Sequence, residues 1–279
     1  MINSRLVVAN SAAFSAPLAV VIDAVEAAGF DGLEVYNDDI DGFPGGATAA
    51  ASILRQADLQ VPAFNLLRDY EGSGDSRAER IDVAEALMDD MLTLGARTLT
   101  VCANTNAASS GDHAEQLGDL RILADLAQSR DMQIGFEPLP WSRWIYNYEQ
   151  ARACMEAVNH PCFGLVLDTF HLFSTNMSLQ VLDKIPMDKI FLVQLSNAVT
   201  MPLPTIEIAR HHRLFPSEGE WPVADVVQRI EDCGFEGFYS IEVFNDNYKD
   251  QDPFEFAKAA LLSFRQLFAS SEAAAEMAP

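Results

Sequence analysis

The stretch Gly164-Leu165-Val166-Leu167-Asp168 is a short apolar run that ends in a carboxylate. Three other runs have the same form and end in Glu137, Gln194 and Glu242. Short apolar runs of this kind are typical of strands buried inside a parallel sheet. If the four runs are neighbouring strands, their final side chains meet at one end of the sheet. Carboxylates placed so closely repel one another unless a cation or shared protons neutralise them.

The rest of the chain alternates short β-rich segments with longer amphipathic ones, which predicts eight βα units. The predicted strands span residues 6–9, 32–36, 61–66, 98–102, 133–137, 164–168, 190–194 and 238–243. The predicted helices span residues 18–28, 47–57, 80–94, 114–129, 148–158, 223–233 and 253–268, with a short sixth connection near residues 179–184.

These eight units predict a closed barrel. The near repetition of GFDGLEV at residues 29–35 and GFEGFYSIEV at residues 234–243 indicates two equivalent helix-to-strand corners. Eight parallel strands with right-handed crossovers favour an α/β fold of the (β/α)8 TIM barrel type, which we predict as one domain over residues 1–269. An open doubly wound sheet is the alternative, but no GxGxxG turn follows the first predicted strand. Residues 270–279, rich in Ala and Glu, are predicted to fray.

Composition limits the classes of partner. The chain carries a formal charge of −23 over 279 residues, which opposes binding to nucleic acid phosphates. A membrane-spanning helix needs about 20 consecutive apolar residues, and the sequence has no such run. The first residues lack a basic segment, an apolar stretch and a cleavage site, so we expect a cytoplasmic protein. The cysteines lack CxxC spacing and are predicted to be small buried side chains without a chemical role. They are Cys102, Cys154, Cys162 and Cys233.

The strand-end side chains predict a metal site. In a TIM barrel the active site lies at the carboxyl ends of the strands, where Glu137, Asp168, Gln194 and Glu242 are predicted to meet. A single carboxylate there often only caps the next helix, whereas four oxygen-bearing side chains on successive strands indicate a cation. An all-oxygen set suits Mg²⁺ or Mn²⁺ better than Zn²⁺, which usually binds His or Cys. We therefore predict one hard divalent ion with open water positions.

Histidines near this site have several possible roles. His171 lies three residues after Asp168, so we expect it on the loop above the metal. Three roles are open for His171: metal ligand, acid/base catalyst, and loop residue without a chemical role. We favour acid/base catalysis because an imidazole exchanges protons near neutral pH. His113 and His160 lack acidic or strand-end companions and are predicted to be surface residues.

Basic residues are few, so their clusters point to an anion. Arg210-His211-His212-Arg213 is the densest basic cluster and lies in the long loop after the seventh predicted strand. It is either a solvated loop or an anion clamp. Arg68, just after the third strand, is a second candidate, because a guanidinium binds a carboxylate through two parallel hydrogen bonds. We predict that Arg210 takes part in catalysis and that Arg68 and Arg213 bind substrate.

Other residues are predicted at the same end of the barrel. Glu34, within GLEVY, is predicted to support a metal ligand or to contact the substrate. Arg143, which follows the fifth strand, is predicted to contact the substrate. Trp141 and Trp144 flank it and either wall the pocket or pack on neighbouring loops.

Seven stretches between about residue 20 and residue 247 carry a family resemblance. They read AAGFDGLEVYNDDI, FNLLRDYEG, GFEPLPWSR, NHPCFGLVLDTFHLF, IPMDKIFLVQLSNA, ARHHRLFPSEGEW and GFEGFYSIEVFND. They resemble the sugar phosphate isomerase/epimerase superfamily of xylose isomerase-like TIM barrels, and within it the bacterial metal-dependent 3-dehydroshikimate dehydratases. Gln194 is more specific to these dehydratases than the His that is commoner in the superfamily.

The resemblance implies roles for individual residues. The four strand-end residues predicted above match the metal ligands one by one, and the ion is Mg²⁺ or Mn²⁺, with Co²⁺ also compatible. His171, Arg68 and Arg210 match positions near the substrate.

The implied activity is dehydration of 3-dehydroshikimate, a small anionic hydroxy-ketone, to protocatechuate. A proton leaves next to a metal-bound ketone, and water is then eliminated. A keto-sugar isomerase or epimerase shares the first half of this chemistry and is the alternative. An endonuclease of the same barrel type needs a basic groove and a histidine-rich site, which five histidines and a charge of −23 oppose. A non-catalytic binding module and assembly into a homo-oligomer also stay open.

Two loops depart from the dehydratase pattern. Residues 138–144 read PLPWSRW where these dehydratases tend to have ALAWGRH, so Trp144 replaces a His and is expected to remove a polar group close to the pocket. Residues 216–220 read PSEGE in place of the more usual PGxGD, so Ser217 is expected to remove one flexible glycine from its loop.

Overall fold

Eight parallel strands pair in the order of the sequence, and the last pairs with the first to close a barrel. The computed structural model describes residues 5–268. The strands are β1 (Leu6–Asn10), β2 (Gly32–Tyr36), β3 (Ala63–Leu67), β4 (Thr98–Cys102), β5 (Gln133–Glu137), β6 (Phe163–Asp168), β7 (Ile190–Leu195) and β8 (Phe238–Ile241). The predicted TIM barrel is confirmed, and the doubly wound alternative is wrong.

Helices connect the strands around the barrel. They are α1 (Leu18–Ala28), α2 (Asn37–Asp41), α3 (Gly46–Gln56), α4 (Arg77–Leu94), α5 (His113–Ser129), α6 (Tyr148–Val158), α7 (Thr169–Ser174), α8 (Thr205–His211), α9 (Val223–Asp232) and α10 (Pro253–Gln266). The sixth connection consists of the short helix α7 and 3₁₀ turns, one of them at Leu179–Lys184. Within residues 5–268, no helix is both long and apolar enough to cross a membrane. The predicted boundary at residue 269 and the predicted tail at residues 270–279 lie outside the described residues.

The corner between α1 and β2 explains the glycines of GFDG. Gly29 has a φ of 88°, a left-handed conformation that ends α1 and that other residues disfavour. Gly32 approaches Gln60 so closely that a β-carbon would lie 2.2 Å from the Gln60 carbonyl oxygen. Gly234, in the repeated stretch, has a φ of 92°. The two stretches therefore form equivalent helix ends, as predicted.

Alternation along the strands divides the barrel interior into an apolar and a polar layer. Side chains two residues apart point the same way in a strand, so Val166 shares a face with Asp168 and Leu192 with Gln194. Val166, Leu192 and Ala63 form a buried apolar cluster. Asp168 and Gln194, two residues further along, are also fully buried. The apolar layer thus seals the interior beneath the polar side chains.

The strand bounds differ from the prediction by two residues at β3 and β8, and by at most one residue elsewhere. β3 begins at Ala63, two residues later than predicted, because Pro62 has no N–H to donate to a sheet. β8 ends at Ile241, so Glu242 follows the strand instead of lying within it.

The cysteines lie in different environments. Cys102 and Cys154 are buried, as predicted, but Cys162 is half-buried and Cys233 is exposed. The prediction of four buried thiols is therefore wrong for two of them, because both lie in exposed helix-to-strand connections.

The two histidines predicted on the surface also differ in burial. His113 begins α5 and is exposed, whereas His160 is half-buried. His160 Nε2 lies 3.3 Å from Asp125 Oδ1. The structure thus gives His160 an acidic neighbour that sequence spacing does not show.

Candidate active site

A cavity of about 350 Å³ opens where the strands end. The polar layer of the interior forms its floor, and the connections that follow the strands form its walls. Its lining includes Tyr36, Arg68, Glu137, Trp141, His171, Arg210 and Glu242. This is the end of the barrel at which TIM barrels carry catalytic residues.

The four predicted metal ligands are buried at or beside the ends of four successive strands, and two of them, Glu137 and Glu242, line the cavity. Glu137 ends β5, Asp168 ends β6, Gln194 is the penultimate residue of β7 and Glu242 follows β8. Their exposures are 4%, 0%, 0% and 6% in that order. Gln194 Nε2 donates to Glu242 Oε1 at 3.2 Å. Asp168 Oδ2 and Glu242 Oε2 both accept from Arg213 Nη1.

His171 lies next to these carboxylates on a helix, not on the predicted loop. It belongs to α7, which Asp168 caps by accepting from Phe170 N at 2.7 Å. His171 Nε2 is 3.4 Å from Glu137 Oε1 and 3.2 Å from Asp168 Oδ2. One ligand atom from each of Glu137, Asp168 and His171 lies within 4.8 Å of the others. The geometry suits His171 both to ligate a metal and to transfer a proton.

Unpaired buried atoms at the floor fit a divalent cation. In the described part of the chain, Glu137 Oε1, Gln194 Oε1 and His171 Nδ1 are buried and have no hydrogen-bond partner. Buried polar atoms nearly always have partners. Oxygen atoms without a donor are the ligands that hard cations take. The residues present therefore fit a metal held mainly by oxygen.

Arg213 balances part of the negative charge. Its Nη1 donates to Asp168 Oδ2 at 2.9 Å and to Glu242 Oε2 at 3.0 Å, and the residue is 3% exposed. Burial opposes the charge on this guanidinium, but Asp168 and Glu242 outweigh burial and raise the pKa of Arg213. Burial also raises the pKa of Glu242 well above its usual value, although Arg213 acts in the opposite direction. Arg213 Nη1 thus donates to two predicted ligands. Arg213 also lines the cavity, so its predicted contact with substrate stays a prediction.

Two exposed cations line the cavity, Arg68 and Arg210. Arg68 Nη2 donates to the Tyr36 hydroxyl at 3.2 Å. Arg210 lies in the last turn of α8. The next residue, His211, faces Asp246, with Nδ1 3.0 Å from Asp246 Oδ2. Within the predicted basic cluster, Arg210 therefore lies at the cavity and His211 lies at the surface.

Glu34 lies behind Gln194 and is fully buried. Its Oε1 accepts from Gln194 Nε2 at 2.9 Å, and its Oε2 accepts from Ser240 Oγ at 2.5 Å. Burial raises the pKa of Glu34 to about 7, against the lowering effect of the Ser240 hydrogen bond. Of the two roles predicted for Glu34, this placement favours support of a metal ligand over contact with substrate.

The predicted wall residues of the loop after β5 make different contacts. Trp141 lines the cavity. Arg143 and Trp144 instead donate to the loop after β4, to Ala107 O at 2.7 Å and to Ser109 Oγ at 3.2 Å. Trp144 therefore packs between loops, which is the second of the two roles predicted for it, and it is not among the residues that line the cavity. Arg143 makes the same kind of contact, and its predicted contact with substrate stays a prediction.

Ser217, the second departure from the dehydratase pattern, anchors its loop. Its N–H donates to Ser263 Oγ at 2.9 Å, and its hydroxyl donates to Gln266 Oε1 at 3.1 Å. The loop after β7 is thus tied to α10 at the position where the pattern has a glycine.

Cys102 is a site residue that sequence reasoning missed. Its thiol donates to Glu137 Oε2 at 3.0 Å from a buried position. Burial and the neighbouring charge of Glu137 raise the pKa of Cys102, so the group stays a thiol donor. The signal in the sequence is its place at the end of the strand that pairs with β5, where it is in register with Glu137.

Glu71 joins three loops around the cavity. Its Oε1 accepts from Asn104 N at 2.6 Å, and Asn104 Nδ2 donates to Glu71 O at 2.7 Å. Asn104 O accepts in turn from Ser142 Oγ at 2.9 Å. The loops after β3, β4 and β5 are therefore linked by buried hydrogen bonds.

Glu71→Gln is expected to change how stability depends on pH. Burial raises the pKa of Glu71 from its ordinary 4.5 to about 8, so its contribution to stability is complete below the lower value and is lost as pH rises to the higher one. The variant keeps an acceptor for Asn104 and has no charge. We expect it to be more stable than the wild type by on the order of 2 kcal/mol at about pH 9, and equally stable at about pH 4.

Urea unfolding at both pH values measures this difference. Glu79→Gln, a change at an exposed position on α4, is the control and is expected to alter neither value. A stability difference between wild type and Glu71→Gln that does not vary with pH would contradict the effect of burial.

Known proteins resemble this chain in sequence and in structure. The xylose isomerase-like TIM barrel family matches residues 22–267. A 3-dehydroshikimate dehydratase of Pseudomonas putida is 34% identical over 229 residues, which make up 82% of this chain and 36% of that protein. The chain thus spans little more than a third of the length of this curated relative. An inosose isomerase of Bacillus subtilis is 25% identical over 230 residues, 81% of each chain.

A solved structure shows the same architecture. It is described as a xylose isomerase-like TIM barrel/4-hydroxyphenylpyruvate dioxygenase fusion protein, and it is 31% identical with a TM-score of 0.93. The match covers 98% of this chain and 44% of that one.

Proposed function

This chain belongs to the xylose isomerase-like TIM barrel family, and from that premise we propose that it is a metal-dependent lyase that dehydrates 3-dehydroshikimate to protocatechuate. One observation carries the proposal: a single cavity combines a buried group of metal-binding side chains with two exposed arginines. Such a cavity suits a small anion with a ketone beside a hydroxyl group. The name of the Pseudomonas putida relative supports 3-dehydroshikimate as that anion.

The proposed cofactor is one divalent ion, Mg²⁺ or Mn²⁺, with Co²⁺ also compatible. Its proposed ligands are Glu137, Asp168, Gln194 and Glu242. Glu137 Oε1 and Gln194 Oε1 support this set, because no donor among the described residues satisfies either buried oxygen. When bound, such an ion polarises a ketone and stabilises the negative charge that forms as a neighbouring proton leaves.

His171 is proposed to carry the transferred proton. Its Nε2 faces Glu137 and Asp168, and the Trp141 ring packs edge-on against the imidazole with 5.3 Å between centroids. The neutral imidazole accepts the proton from the carbon next to the ketone and returns it to the hydroxyl on the next carbon, which leaves as water. One C–H and one C–O bond break and a C=C bond forms. The product then becomes aromatic, which makes the dehydration irreversible.

Arg68 and Arg210 are proposed to bind the substrate carboxylate, with Arg210 near the reacting atoms. Arg68→Ala is expected to raise KM roughly 10- to 100-fold with little change in kcat, because it removes hydrogen bonds to a charged group that ground state and transition state share. Steady-state kinetics measures both constants. Arg55→Ala, an exposed arginine on α3, is the control. A fall in kcat with an unchanged KM would contradict the binding role.

Direct assay tests the proposed reaction. Metal-loaded protein is incubated with 3-dehydroshikimate, and protocatechuate is followed by its absorbance. Product is expected with Mg²⁺ or Mn²⁺, is expected to disappear after chelation and is expected to return when the ion is restored. No product from folded, metal-loaded protein would rule out the lyase.

A keto-sugar isomerase or epimerase is the second candidate. The inosose isomerase of Bacillus subtilis favours it, because that match covers 81% of both chains. Such an enzyme would return the proton to another carbon and release no water. Turnover of keto sugars together with no protocatechuate would replace the lyase by the isomerase.

A further inference from the structure

We propose that Glu34 is a positioning residue that decides which end of the Gln194 amide faces the metal site, an inference that rests on the proposed function because it requires a metal there. Only the amide oxygen can ligate a cation, since the –NH2 group offers donors alone. The two ends of the amide have nearly the same shape. Neighbouring hydrogen bonds must therefore select the end that faces the metal.

Two carboxylates accept from the same end of this amide. Gln194 Nε2 donates to Glu34 Oε1 at 2.9 Å and to Glu242 Oε1 at 3.2 Å. A carboxyl oxygen that carries no proton can only accept. Since Glu34 Oε1 and Glu242 Oε1 both accept from Gln194 Nε2, a reversed amide would place its oxygen against two acceptors. Gln194 Oε1 is left buried and unpaired within the part of the chain that the structure describes. The unpaired oxygen is therefore the end that the metal can use.

Glu34 is itself held in place from the opposite side. Its Oε2 accepts from Ser240 Oγ at 2.5 Å. Glu34 lies on β2 and Gln194 on β7, strands that are not neighbours in the barrel, so their contact crosses the interior. The orientation of Gln194 thus depends on a side chain 160 residues away in the sequence.

Mn²⁺ binding to chelator-treated protein, measured by calorimetry with Mn²⁺ alone as the probe, tests this inference. In Glu34→Gln, the new amide can keep its oxygen on Ser240 and turn its –NH2 toward Gln194. That –NH2 then faces Gln194 Nε2, donor against donor, so only Glu242 is left to hold the Gln194 oxygen toward the metal. We expect the Kd for Mn²⁺ to rise about 10- to 100-fold, the usual cost of losing a group that supports a metal ligand. Thermal unfolding of the metal-free protein checks the fold.

Two further variants separate hydrogen-bond polarity from packing. E34Q/Q194E exchanges the carboxylate and the amide, so an oxygen again faces the metal and Mn²⁺ affinity is expected to recover. Glu79→Gln makes the same chemical change at an exposed position on α4 and is the matched control. Its Mn²⁺ affinity is expected to stay unchanged.

Each outcome of this set decides the question. Equal Mn²⁺ affinities of wild type and Glu34→Gln would overturn the inference, and so would a double variant no tighter than the single one or an equal loss in Glu79→Gln. If Glu34→Gln does not fold, the double variant decides, since wild-type affinity supports the inference and lost affinity overturns it. A wild-type protein that binds no Mn²⁺ overturns the proposed metal site and, with it, this inference.

Discussion

Asp168→Asn is expected to lower kcat/KM more than about a hundredfold and to weaken Mn²⁺ binding in parallel, since even groups behind a metal ligand are worth 10- to 100-fold. Asp168 Oδ2 lies 3.2 Å from His171 Nε2 and accepts from Arg213 Nη1 at 2.9 Å. Its Oδ1 accepts from Phe170 N and caps α7. The asparagine keeps an oxygen for this cap but has no charge to offer a metal or Arg213. We therefore expect the substitution to weaken metal binding and turnover and to leave the cap of α7 intact.

Kinetics and calorimetry on the same preparation measure both effects. Asp125→Asn removes a carboxylate whose side chain is 73% exposed, and it is expected to change neither constant. Turnover close to wild type in folded Asp168→Asn would remove Asp168 from the proposed ligand set. Loss of turnover with intact Mn²⁺ binding would point instead to the pairing of Asp168 with His171 and Arg213.

The strand-end residues could be predicted because period-two alternation and barrel topology together determine their position. Glu137 and Asp168 end strands β5 and β6, as predicted. Glu242 lies one residue beyond β8. It still falls two residues after Ser240, whose hydroxyl points inward to Glu34. An error of two residues in the predicted strand end therefore left the position of this side chain at the barrel mouth unchanged.

Contacts between distant segments could not be predicted in this way. The hydrogen bond from Cys102 to Glu137 requires a particular register and rotamer, and periodicity specifies neither.

The positions of loop side chains are equally hard to predict from the sequence. Arg210 and Arg213 are three residues apart, yet Arg210 is exposed at the cavity while Arg213 is buried at its floor. A basic cluster in a sequence indicates an anion site without showing which side chain is free to bind the anion.

His171→Ala is expected to lower kcat by about 10²- to 10⁴-fold with little change in KM, the usual contribution of a positioned acid or base. Calorimetry on the same variant separates the two roles that the geometry allows. Mn²⁺ affinity is expected to be retained if His171 only carries the proton, whereas a ligand role requires that affinity falls together with kcat. His113→Ala, at the exposed start of α5, is the control.

Rescue of the same variant by added imidazole gives a second measurement of the proton-transfer role. Truncation of His171 leaves a space bounded by the rings of Trp141 and Phe170, whose centroids lie 5.3 Å and 5.7 Å from that of the native imidazole. Free imidazole can occupy this space and accept the proton, so kcat is expected to rise with imidazole concentration. Its dependence on pH should then follow the protonation of the added base. Full turnover of His171→Ala without imidazole would show that another group carries the proton.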